Sequence, residues 1–128
     1  MLNTTLNHFN KVMKRLNNKV KKEFVAELSK VLKDNAIQQI NWQGYTPYFC
    51  DGEPCTYGIG SVYFKIAEND TIVDSYNIKD KKIKQIATKI EESLQEHESM
   101  LLSIFGDHKE ISIDSNGNIT ETDYSDHD

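Results

Sequence analysis

Trp42-Gln-Gly-Tyr45-Thr46-Pro47-Tyr48-Phe49-Cys50-Asp51-Gly52-Glu-Pro54-Cys55 contains both prolines, both cysteines, the single tryptophan and two of the six glycines of a 128-residue chain. Extended to Phe64, the window collects seven aromatic residues: Trp42, Tyr45, Tyr48, Phe49, Tyr57, Tyr63 and Phe64. Pro47 fixes its own φ and drives Thr46 into extended geometry, so Tyr45 to Tyr48 reads as an irregular extended segment. Asp51-Gly52 is a turn dipeptide, and Pro54 bars re-entry into a central ladder. The stretch is therefore a loop, and a strand is expected on either side of it. Residues 36–42 place Ile40 and Trp42 on one face and Ile37, Gln39 and Asn41 on the other, a short strand by length and composition. Residues 57–67 read as its partner, with Gly58 and Gly60 marking a bulge or a close approach. A third strand is expected over 71–78, after an Asn69-Asp70 turn.

Two helical patterns flank this unit. Apolar residues at Leu2, Leu6, Phe9, Met13, Leu16, Val20, Phe24, Leu28 and Val31 recur at helical spacing, with Asn3 to Thr5 available as the cap and Asp34-Asn35 as the end. Thirty such residues would run about 45 Å at 1.5 Å per residue, longer than a small domain is wide. The helix is therefore expected to bend, to break near Asn17-Asn18, or to pair with a second copy and make a homo-oligomer. The second helix is expected over 79–105, with a stripe at Ile83, Ile86, Ile90, Leu94, His97, Leu101 and Ile104 and a stop at Gly106. His97 on that stripe reads as a buried, hydrogen-bonded histidine. Residues 110–113 and 118–122 then flank Asp114-Ser-Asn-Gly117, a hairpin turn of the Asn-Gly type.

The order helix, three strands, helix, hairpin argues for one α+β domain over residues 1–128. Its expected architecture is an antiparallel sheet of about four to five strands covered by two long helices. No run is long and apolar enough to span a bilayer, and the N-terminus lacks the order of a signal peptide, so a soluble cytoplasmic protein is expected. In a reducing cytosol Cys50 and Cys55 would be free thiols.

Net charge is −5, unevenly distributed. Residues 1–35 carry eight basic side chains against Glu23, Glu27 and Asp34, whereas residues 106–128 carry seven acids against Lys109. The two ends suit solvated faces or pairing with each other, and the basic end suits an anionic partner.

Several side chains are candidates for chemistry. Cys50 or Cys55 with His108 or His127 has the elements of a thiol nucleophile and base, but without a small-residue elbow or a third partner. The same four residues match the ligand count of a tetrahedral zinc site, though not its spacing. Asp107-His108 and Asp126-His127-Asp128 suit other divalent metals. Binding is the better-supported chemistry. Tyr45, Tyr48, Phe49 and Tyr57 on a proline-stiffened loop suit the stacking of a planar group, with Thr46 and Asp51 beside them, unless they fill a second small core. Lys81, Lys82 and Lys84 open the second helix, where the backbone dipole already favours anions. Either Asp80 offsets them as the cap, or an anion sits there. Together these nine residues describe a nucleotide-sized ligand and call for no cofactor.

The words Trp42-Gln-x-Tyr45-Thr-Pro-Tyr-Phe49 and Asp51-Gly-x-Pro-Cys55 resemble a group of small proteins from tailed bacteriophages. Phe105-Gly-Asp-His108 and Tyr124-x-Asp-His-Asp128 are similar to the end of the same group. Gly44 and Cys50 depart from its pattern. The resemblance supplies no catalytic residues and implies only a phage setting, in which the leading expectation is an accessory protein countering host defence by binding a nucleotide-like signal or a host protein. The competing class is a metal- or thiol-dependent nucleotide hydrolase, and a third is a protein-binding inhibitor of a host enzyme.

Overall fold

The computed structural model describes residues 21–47, 52, 54–66 and 71–124. The expected homo-oligomer contacts and break in residues 1–20, the ligand-binding candidates Tyr48, Phe49 and Asp51, and the terminal Asp126-His127-Asp128 lie outside them.

An α+β architecture is observed. Helix α1 covers 21–34, followed by β1 (Ile37–Tyr45), β2 (Gly58–Ile66), β3 (Thr71–Val73), a 3-10 turn (Ser75–Asn77), α2 (Lys81–Glu96), α3 (Glu98–Phe105), β4 (Lys109–Asp114) and β5 (Ile119–Asp123). All strand pairings are antiparallel, in the order β3-β2-β1-β4-β5. The two strands around the central loop thus lie at the middle of the sheet.

Local chemistry explains the element ends. Asn35 closes α1, its Nδ2 donating to the Val31 carbonyl at 2.7 Å, and Ala36 turns the chain with φ 58. Asp80 caps α2, its carboxylate accepting from the backbone N–H groups of Lys82 and Ile83. Gly106, at φ 86, ends α3. Gly117, at φ 87, lies in the β4–β5 turn, where Asp114 Oδ1 accepts from the N–H groups of Asn116 and Asn118 at 2.9 Å each. Partial burial acts to raise the Asp114 pKa, but these bonds outweigh it and hold the carboxyl below its ordinary value.

The core lies between one face of the sheet and the helices. Ile40, Trp42, Phe64, Leu32, Leu101 and Ile113 are fully buried. Phe24 of α1, Trp42 of β1 and Phe105 of α3 meet edge to face with centroids 5.9 to 6.4 Å apart, locking two helices onto the central strand. The other sheet face is polar. There Asn41 Nδ2 donates to Ser112 Oγ at 2.7 Å and to Glu110 Oε1 at 3.3 Å. The basic first helix meets the acidic hairpin through Lys21 and Glu121, 2.7 Å apart.

Four expectations need correction. The second helix is two helices: the chain turns at His97, with φ −115 and ψ 32. A straight helix over 79–105 would run about 40 Å, whereas a nine-residue strand spans about 30 Å. The turn instead brings Leu101 and Phe105 back over the core. His97 sits at this corner, exposed rather than buried, with Nδ1 2.8 Å from the Ser93 carbonyl oxygen. The third strand is three residues long, because the chain leaves the sheet edge and enters the 3-10 turn. Finally, Cys55 is disulfide-bonded rather than a free thiol, and the sequence contains one other cysteine, Cys50. Gly52, at φ 79, turns the chain shortly before Cys55, a local geometry that an argument from compartment leaves out of account.

Candidate functional site

The words singled out in the sequence converge at one end of the sheet. There β1 ends, β2 begins, β4 begins and β5 ends, so the antiparallel register gathers Tyr45, Thr46, Tyr57, Asp107, His108 and Tyr124 around the two ends of the central loop.

Asp107 is the centre of this group. Its Oδ1 accepts from the Thr46 N–H at 2.9 Å and from the His108 N–H at 2.8 Å, and its Oδ2 accepts from Thr46 Oγ1 at 2.7 Å. Partial burial acts to raise its pKa. The Thr46 hydroxyl, the His108 and Thr46 N–H groups and the His108 charge outweigh it and hold the carboxyl below its ordinary value. The conformation that permits this follows Gly106, with His108 itself at φ 55. His108 Nε2 lies 3.8 Å from Asp107 Oδ1, too far for a hydrogen bond. Both carboxylate oxygens are thus occupied in holding the first residue after β1 to the segment between α3 and β4. This is a clasp on the loop.

The tyrosines pack against the backbone around the clasp. Tyr57 lies over Gly44, where a Cβ would come within 2.0 Å of the phenol oxygen. Burial, then the charges of Asp107 and Glu98, push the Tyr57 phenol up to about 12. It therefore remains neutral across the physiological range. Tyr45 crosses Gly60, where a Cβ would lie 2.9 Å from the ring, and its ring meets Tyr124 with centroids 5.1 Å apart. The expected close approach at Gly60 is this contact, and the bulge is the adjoining register shift between Trp42 and Gly44. Glu98, at the start of α3, accepts from the Ile59 N–H at 3.4 Å and ties the helix corner to the same end.

Of the nine candidate binding residues, Tyr45, Thr46 and Tyr57 come together here, engaged with the scaffold. Lys81, Lys82 and Lys84 do not join them. They lie at the far end of α2, whose 16 residues span about 24 Å. Asp80 fills the first-turn N–H groups there, so the cap alternative to a bound anion is the one observed. The sequence reading missed Asp107 as the partner of Thr46, although the resemblance pointed to the Phe105-Gly-Asp-His108 word that carries it. It also missed Glu98 and Tyr124 as neighbours.

For metal chemistry, no group of three or more His, Cys, Asp or Glu side chains placed to hold an ion occurs among the described residues. Cys55, being disulfide-bonded, carries no thiolate for the nucleophile or zinc readings. No helix among the described residues is long and apolar enough to cross a membrane. Comparisons of the chain with protein-family models, with curated proteins and with solved structures find no match.

Proposed function

We propose that the chain is a non-enzymatic phage accessory protein that binds a host protein through its central loop, with Tyr48, Phe49 and Asp51 as the contacting residues. The observation that carries this reading is the Asp107 clasp. A carboxylate whose two oxygens already hold three donors is a positioning device, and it fixes the base of a loop rich in aromatic residues. Holding the base of a loop lowers the entropic cost of binding through it, and aromatic anchors dominate the energetics of protein interfaces.

Two other observations favour a protein over a nucleotide-like ligand at the loop. Tyr45 and Tyr57 are engaged with Tyr124, Gly60 and Gly44, which leaves them poorly placed to sandwich a base. The lysines meant for its phosphate lie a helix length away.

The test is affinity capture from host lysate by the wild-type protein, by Tyr48→Ala/Phe49→Ala and by a distant control, Tyr76→Ala. The expected result is one host protein retained in stoichiometric amount by wild type and control and lost with the loop variant. Equal retention by all three would sink the reading. Incubation with a nucleotide panel, followed by mass analysis of the released molecules, checks the enzyme alternative. Altered mass would establish turnover and overturn the non-enzymatic assignment.

A further inference from the structure

We propose that the N-terminal half of α2 and the 3-10 turn beside it form a binding surface for single-stranded nucleic acid, with a base stacked on Tyr76 and phosphates held by Lys81, Lys84 and Lys89. The surface stands apart from the central loop and does not rest on the function proposed for it.

The charge is concentrated. Lys79, Lys81, Lys82, Lys84 and Lys89 are five of the chain's fifteen basic residues, within a protein of net charge −5. Asp80 is the one acid in that window, and its carboxylate is taken up by the N–H groups of Lys82 and Ile83. Lys21 and Lys109 are neutralised by Glu121 and Asp123, whereas none of these five makes an ion pair among the described residues. Four unpaired, exposed ammonium groups and a half-buried fifth outnumber by one the carboxylates beside them, Asp74, Asp80, Glu91 and Glu92, which leaves this surface locally positive on an acidic chain.

The second component is an aromatic ring held out in solvent. Tyr76 is 83% exposed, and Lys84 Nζ lies 5.2 Å from its ring centroid. The turn that presents it is fixed on both sides. Asp74 Oδ1 accepts from the backbone and side-chain nitrogens of Asn77 at 2.9 Å each, and Ser75 Oγ donates to Glu91 at 2.7 Å. Beside it Lys81, Lys84, Gln85, Thr88, Lys89 and Glu92 line a shallow concavity of about 520 Å³. That lies within the roughly 300–1,000 Å³ of small-ligand sites. Along the helix axis, Lys81 to Lys84 is about 4.5 Å and Lys84 to Lys89 about 7.5 Å, so an extended backbone crossing the concavity meets each cation in turn.

This pairing of stacking ring and cation track is what sequence-tolerant recognition of a single strand requires. A duplex keeps its bases stacked on one another and offers the ring nothing. A single strand exposes a π-face for Tyr76 while its phosphates reach the lysines.

The test is fluorescence anisotropy of a short labelled oligothymidine with the full chain, across a salt series. Binding is expected to weaken with salt, as phosphate contacts require. Tyr76→Ala is expected to lower affinity roughly 5- to 150-fold, the range of one base stack, at unchanged melting temperature. Tyr76→Phe should restore it. Lys84→Glu should weaken binding and flatten the salt dependence, whereas Tyr48→Ala and the Lys11→Glu/Lys14→Glu double variant should leave it unchanged. No binding at low salt would overturn the proposal. So would binding indifferent to both Tyr76→Ala and Lys84→Glu, loss of binding on charge reversal at Lys11 and Lys14 alone, or an equal preference for duplex.

Discussion

Replacing Asp107 by asparagine tests the clasp directly. The carboxylate accepts three hydrogen bonds, and a bond to a charged acceptor contributes about 1.5–3 kcal/mol when well shielded. The Asp107 side chain is 37% exposed, so solvent screening lowers that figure. Asparagine can keep both N–H bonds on its amide oxygen and donate from Nδ2 to the Thr46 hydroxyl, which then accepts, so what the substitution removes is the charge that strengthens all three bonds. The expected cost is about 1–2 kcal/mol. With roughly 2.1 cal/mol/K of unfolding entropy per residue, that corresponds to a fall in Tm of about 4–7 °C for a chain of this length. The pH dependence supplies the sharper check. The Asp107 pKa is lower folded than unfolded, so its contribution is complete above the unfolded value of about 3.9 and is lost as pH falls through the folded value. Melting wild type and Asp107→Asn by circular dichroism from neutral to acid pH should show a gap that is constant near neutrality and closes below about pH 4. Other carboxylates titrate in both proteins and cancel in the difference. A gap absent at neutral pH, or undiminished in acid, would refute the clasp.

Gly44→Ala should destabilise by about 1–3 kcal/mol through overpacking, because its Cβ falls 2.0 Å from the Tyr57 phenol oxygen. Most of that cost should vanish in a Tyr57→Ala background, a coupling that a double-mutant cycle of denaturant midpoints reads. Ser29 is buried at 5% exposure, and its Oγ has no hydrogen-bond partner among the described residues. Ser29→Ala should therefore be neutral or stabilising by up to about 1 kcal/mol in chemical denaturation, and a clear loss would reveal a bond. Trp42→Ala should cost about 3–5 kcal/mol or unfold the chain, while Tyr48→Ala leaves Tm within a few degrees. Equal losses would make the loop a second core.

The fold was legible because its periodicities are simple and its breakers are strong. Pro47, Pro54 and Gly52 isolate the loop, and the alternation through Ile40 and Trp42 predicts the buried face observed. The places where the reading slipped are those where tertiary packing overrode a local pattern. Ile37 is buried with Ile40 and Trp42 although strict alternation assigns it to the opposite face, because a register shift between Ile37 and Gln39 turns the strand. The stripe through His97 is continuous in sequence, yet the helix bends there to keep Leu101 and Phe105 over a sheet shorter than the stripe.

The site was legible only in fragments, and the reason is topological. Thr46 and Asp107 are separated by 61 positions, and no periodicity or short motif links residues so far apart. Only the antiparallel return of β4 beside β1 makes them neighbours. Pooling Tyr45 and Tyr57 with Lys81, Lys82 and Lys84 as one nucleotide site treated residue types that suit a ligand as if they shared a place. α2 separates them along its length, and the ring that lies beside the lysines is Tyr76, which the pattern had assigned to an ordinary strand. Composition therefore pooled groups that the fold places at opposite ends of α2. The two surfaces can be tested apart, since a substitution at Tyr76 should leave the Asp107 clasp intact and the Asp107→Asn variant should leave oligonucleotide binding unchanged.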